Sequence, residues 1–136
     1  MFERFSSEVE EYPVDFDEIF GILSNSRRRF ILYYLSVVHR TVTLSDLSEQ
    51  VAAWECGKDV KEVTSGERKR VYVSLYQHHL PKLNDVSAVS YDKNRGEVEP
   101  GECFDAFEDY LPEEEDVPEQ QESDHKWTQH LTLFTN

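Results

Sequence analysis

The stretch Thr64-Ser65-Gly66-Glu67-Arg68-Lys69-Arg70-Val71-Tyr72-Val73-Ser74-Leu75-Tyr76-Gln77-His78-His79-Leu80-Pro81-Lys82-Leu83, taken together with residues 84–101, decides the fold. Thr64 and Glu67 stand at capping-box spacing: the threonine hydroxyl can accept from the Glu67 amide while the glutamate reaches back. From Glu67 to Leu83, a turn of 100° per residue sets Tyr72, Tyr76, His79, Leu80 and Leu83 on one side. Arg70, Ser74, Gln77 and His78 fall on the other. Pro81 is expected to distort the last turn. The period then drops to two, with Val86, Ala88 and Ser90 alternating with Ser87, Val89 and Tyr91. Lys93-Asn94-Arg95-Gly96 supplies turn residues, Glu97-Val98-Glu99 a return strand and Pro100-Gly101 its stop. A helix over residues 65–83 therefore runs into a β-hairpin over 86–99 with a basic tip.

Upstream, Phe16, Ile19, Phe20 and Leu23 recur at i, i+3, i+4 and i+7, which predicts a short amphipathic helix over 16–23. Ser24-Asn25-Ser26 breaks it. A second helix runs from Arg27 to Val38, with Phe30, Ile31, Tyr34, Leu35 and Val38 on one face. Arg27, Arg28 and Arg29 lie in its first turn, where the helix dipole disfavours cations; an acidic segment or a phosphate nearby could compensate, and a solvated charge cluster is the commoner explanation. Thr41-Val42-Thr43-Leu44 is β-prone, and Thr43-Leu44-Ser45-Asp46 has the pattern of a helix start. Leu47, Val51 and Trp54 continue that helix for about eleven residues, closed near Gly57. Residues 55–63 are charged and weakly periodic, hence a loop. The order helix, helix, short strand, helix, helix, hairpin is that of a mainly α winged helix-turn-helix domain with a small β wing.

The chain has 136 residues, one domain's worth, and a net charge of −14. The charge is uneven: residues 1–20 carry a net −6, residues 101–136 a net −10, and residues 21–100 a net +2. Only the middle is placed to neutralise phosphates. The division expected is an acidic N-terminal arm (1–15), the winged domain (16–100), an extra or dimerisation helix (101–112) and an acidic, largely disordered tail (113–136). The excess of acids with only six lysines matches the composition of proteins from salt-loving archaea. There a Debye length of ~3 Å in molar salt screens carboxylate repulsion. A role for the acidic ends in imitating DNA or covering a basic face stays open beside that. No run approaches the ~18 apolar residues of a membrane span. No basic and apolar leader opens the chain, so a cytoplasmic location is expected. Cys56 and Cys103 cannot by themselves make a disulfide framework or a zinc site. His39, His78, His79, His125 and His130 show no HxxxH spacing, so neither metal nor other cofactor is expected. No phosphate loop or nucleophile elbow appears, and catalysis is not expected.

Leu23 to Leu35 resembles the first helix of ArsR-like winged-helix domains from haloarchaea, Glu67 to Leu83 their recognition helix, and Val89 to Val98 their wing. The resemblance covers residues 16–100 and implies a DNA-binding transcriptional regulator. Two departures stand out: the loop at 55–63 exceeds a minimal helix-turn-helix turn, and the cysteine-rich metal-sensing motif of arsenic-responsive relatives is missing.

The residues expected to meet double-stranded DNA are chosen by their chemistry. Arg68, Lys69 and Arg70, with Ser74, Gln77 and His78, could read bases, since arginine pairs bidentately with guanine and glutamine with adenine. A solvated helix face would look the same. Lys93 and Arg95 at the wing tip would meet phosphate or the minor groove, or simply solubilise the turn. Arg27 and Arg28, with Arg29 and Ser24, could add backbone contacts that position without reading sequence. Phe104, Phe107, Tyr110 and Leu111 recur at helical spacing and suggest a helix packing in a homodimer, while Trp127, Leu131 and Phe134 repeat the pattern in the tail. The function expected is sequence-specific regulation of transcription by a homodimer. The alternative is a protein-interaction module without DNA binding, its acidic arms or tail holding a basic partner.

Overall fold

Asp15 starts the first helix of the computed structural model, which describes residues 14–111. Its carboxylate accepts from the Glu18 amide at 2.9 Å, capping α1 (Phe16–Leu23). Asn25 does the same for α2 (Ser26–Val38), accepting from the amides of Arg27 and Arg28, and His39 ends the helix in the left-handed conformation. The two residues of β1 (Val42–Thr43) lead straight into α3 (Leu44–Cys56), capped by Thr43 and closed by Gly57. The expected loop contains a 3-10 turn, Val60–Glu62. The capping box read from Thr64 and Glu67 is present in both directions, at 3.1 and 3.0 Å, and opens α4 (Ser65–Ser74).

The long helix then changes pitch. Leu75–His79 is a π-helical segment, and α5 (Leu80–Asp85) resumes the α form with Pro81 in its first turn. Proline lacks the amide that would bond the carbonyl of Gln77 and its ring crowds that carbonyl, so the helix widens where Pro81 would clash. The distortion thus falls one turn before the expected place. β2 (Val89–Asp92) and β3 (Glu97–Pro100) form the hairpin, paired Tyr91 with Val98 and Asp92 with Glu97. β3 also takes β1, Val42 opposite Val98, so the return strand is the centre of a three-stranded antiparallel sheet.

One core joins these parts. Ile31, Leu32, Tyr34, Leu35, Leu47, Val51, Leu75, Leu80, Leu83 and Val98 are buried in it, each large aliphatic side chain contributing about 1.5–3 kcal/mol. Three expectations about burial change. On α1 it is Ile19, Ile22 and Leu23 that go inside, while Phe16 and Phe20 stay 60% and 53% exposed. On α4 the inward pair is Val71 and Leu75, and Tyr72 and Tyr76 face solvent. After the sheet, α6 (Phe104–Glu108) packs on α2 and α1 of its own chain. Phe104, Ala106 and Phe107 belong to the same core, so these rings are not held out for a second subunit. Residues 1–13 and 112–136 lie outside the described residues, and with them most of the expected arm, the expected tail, and His125, Trp127, His130, Leu131 and Phe134. Among the described residues no helix is long and apolar enough to cross a membrane.

Candidate nucleic-acid interface

α4 leans on α3 through Val71 and Leu75, which turns the opposite side of the helix outward. Lys69, Arg70, Val73, Gln77 and His78 are exposed there, and Ser74 is half-buried. Arg68 sits at the edge facing α3, its Nε 4.0 Å from Glu49, and is half-buried. Among the described residues, no carboxylate pairs with Lys69 or Arg70. Glu67 is engaged elsewhere: Lys58 Nζ donates to it at 2.8 and 3.0 Å. That ammonium and the Thr64 amide hold the Glu67 carboxyl down to about 2. Between Glu67 and Asp85 the sequence has no acid at all, in a chain with 28 acidic residues among 136.

The wing comes back against this helix. Asp92 organises its tip, its Oδ1 accepting from the amides of Asn94 and Arg95 at 3.1 Å each, and Gly96 completes the turn at φ 67°. Lys93 Nζ lies 5.4 Å from the centre of the Tyr76 ring, a cation–π distance that places the wing's lysine beside the helix. Arg95 is exposed, 3.9 Å from Glu97. Tyr72 and Tyr76 stack at 6.5 Å between ring centres. Burial, with Tyr76 and Tyr72 nearby, pushes the Tyr91 phenol up, and its buried hydroxyl has no hydrogen-bond partner among the described residues. Tyr72, Val73 and Tyr76 thus belong to this surface, whereas the helical period groups the two tyrosines with Leu80 and Leu83, and Tyr91 packs partly buried against the core behind them. The usable signal was the purely aliphatic pair Val71 and Leu75, four apart, which fixes the inward face better than tyrosines can.

The arginines of α2 are placed differently from expectation. Arg28 is only 6% exposed. Its guanidinium donates to the carbonyls of Ile22 at 2.9 Å and Gly21 at 3.1 Å and meets His79 Nδ1 at 3.3 Å. Arg29 donates to the Leu23 carbonyl at 2.6 Å. The last three carbonyls of α1 therefore hold these two cations, which is where a helix dipole favours positive charge. Arg27 pairs with Glu55, Nη2 to Oε1 at 2.8 Å. Arg28 is thereby corrected from a phosphate contact to a buried tie between α1 and α2, and Arg27 is engaged by an acid of α3. Since arginine can only donate, the Nδ1 of His79 must carry a lone pair, which makes this imidazole neutral with its proton on Nε2. Burial first, then His78 and Arg28, lower its pKa to about 4. The neighbouring His78 is exposed, its ring 4.7 Å from that of His79.

Packed helices followed by a hairpin that returns against the last long one give a mainly helical, winged-helix-like fold. A family model described as a domain of unknown function (DUF7344) matches residues 20–99, and the chain belongs to that family. Comparison with curated proteins and with solved structures gave no match.

Proposed function

We propose that this protein is a sequence-specific regulator that binds double-stranded DNA as a homodimer, with α4 and the π segment in the major groove and the wing on the adjoining backbone. The observation that carries the reading is the coincidence of Lys69, Arg70 and Gln77 on one exposed face with Lys93 of the wing beside the same helix. Arg70 and Gln77 have the donors and acceptors for guanine and adenine edges, while Lys69 and Lys93 suit phosphates. The resemblance to ArsR-like domains of haloarchaea supports the same reading. Two copies are part of it, because one helix in one groove reads a single half-site.

Selection from a pool of random duplexes, followed by titration of the selected site across salt, tests this. Arg70→Ala and Gln77→Ala should each lower affinity for the selected site by roughly tenfold, the ~1–3 kcal/mol of a bidentate pair, and relax preference at one position. Lys69→Ala and Lys93→Ala should weaken every duplex alike and reduce the salt slope by about one unit. Enrichment of no sequence, with the protein well folded, would reject the proposal.

A further inference from the structure

α4 is apolar on two sides. Val71 and Leu75 serve the core, but Tyr72, Val73 and Tyr76 leave a second apolar patch on the outward side, 39%, 40% and 40% exposed. Positions 72 and 76 are four apart and 73 and 76 three apart, so Tyr76 joins Tyr72 and Val73 into one patch. Apolar side chains scattered singly over a surface need no explanation, but three grouped on one helix face suit a contact. Lys69 and Arg70 border it on the helix, and Lys93 lies over Tyr76 from the wing, so the patch is apolar at its centre and cationic around it. The run from Arg68 to Asn84 carries no acid, so the helix itself does not repel a polyanion, and the nearest acids are those of the wing. An occupant must therefore combine a dense negative charge with small apolar groups between the charges. The major groove of DNA does so, since each thymine presents a 5-methyl group between two phosphate backbones.

We infer that Tyr72, Val73 and Tyr76 recognise thymine methyl groups, so that the site this protein selects contains thymines facing the centre of α4. The inference rests on the duplex-DNA reading above and names what part of the duplex the helix reads. Val73, at the open edge of the patch, meets a methyl directly. Tyr72 and Tyr76, stacked on each other and with Lys93 over one ring, form a wall of fixed orientation along one side of it.

The experiment replaces thymine by deoxyuridine, one position at a time, in the selected duplex; this deletes a methyl and leaves hydrogen bonding and phosphates unchanged. The wild type should lose about fourfold in affinity at one or two positions, the value of one buried methyl-sized group. Val73→Thr, which keeps the shape but exchanges one of the two methyls for a hydroxyl, should narrow the difference between the thymine and deoxyuridine duplexes. Tyr76→Leu should shrink the thymine preference while the circular dichroism spectrum is unchanged. Equal wild-type affinity for both duplexes overturns the inference and leaves DNA binding standing. So does a Val73→Thr variant that weakens both duplexes by the same factor. A wild type that retains no duplex overturns both readings, and a change of oligomeric state in Val73→Thr would then assign the patch to a second copy.

Discussion

His79 and Arg28 show how a buried cation is tolerated with no carboxylate paired to it among the described residues. The guanidinium lies against two α1 carbonyls and a neutral imidazole, so it makes charge-assisted hydrogen bonds on several sides while staying dry. Protonating His79 would set a second cation beside it. The sign of the resulting pH dependence comes from linkage: the unfolded imidazole binds its proton near 6.5 and the folded one near 4, so the unfolded state holds more protons between these values. The stability due to the neutral imidazole is complete above about pH 6.5 and is lost as pH falls towards 4. Chemical denaturation at a series of pH values should show the wild type weakening over that window and His79→Gln, which keeps an acceptor, flattening it. The three adjacent arginines looked equivalent in the sequence. What separates them is where the carboxyl end of α1 and Glu55 lie, and no local pattern in the chain encodes that.

At the scale of elements, the parts written by local chemistry were legible. The capping box at Thr64, the Gly57 cap, the turn at Lys93 to Gly96 and the stop at Pro100 and Gly101 all depend on a few neighbouring residues. The orientation of the long helix was not, for a physical reason. A constant 100° per residue fails across the five residues of the π segment, and tyrosine suits either environment, so the phase of the tyrosines could not be read. α6 is a related case: the spacing of Phe104 and Phe107 announced a helix, but their partners in α1 and α2 were beyond reach of periodicity. Gly101 shows how closely these pieces fit. Its backbone passes the Ser87 to Val89 bend so tightly that a Cβ would stand 2.4 Å from the Ser87 carbonyl oxygen and 2.8 Å from the Val89 carbonyl carbon. The same crossing carries hydrogen bonds from the Gly101 amide to Ala88 and from the Cys103 amide to Ser87, so the wing and α6 are fastened together there. Gly101→Ala should destabilise the fold by about 1–3 kcal/mol, as overpacking does. Urea unfolding measures it, and an unchanged midpoint would mean that the crossing yields freely.

For the whole molecule, the two exposed apolar patches differ in the charge that borders them, cations on α4 and acids on α1 and α6. The exposed cations Lys69, Arg70, Lys93 and Arg95 are on α4 and the wing, where Asp92, Glu97 and Glu99 of the wing accompany them, while α1 and α6 carry Asp17, Glu18, Asp105 and Glu108 beside the ring cluster of Phe16, Phe20 and Tyr110. Those rings touch one another, with centres 5.6 to 5.9 Å apart, and remain 60%, 53% and 44% exposed. Exposed patches of this kind mark contact sites, and in the homodimer proposed above this patch is the one left to meet a second copy. The expected response to salt is then opposite at the two patches. Duplex binding weakens as salt rises, because phosphate contacts release counter-ions. Self-association strengthens, because bringing two acidic rims together costs less when the charges are screened. Light scattering across a salt series should show the apparent mass rising towards twice the chain mass. Phe16→Ser with Phe20→Ser should hold the protein monomeric throughout, at nearly unchanged stability since neither ring is in the core. A wild type that stays monomeric at every salt and protein concentration would remove the dimer, and each chain would then have to read its half-site alone.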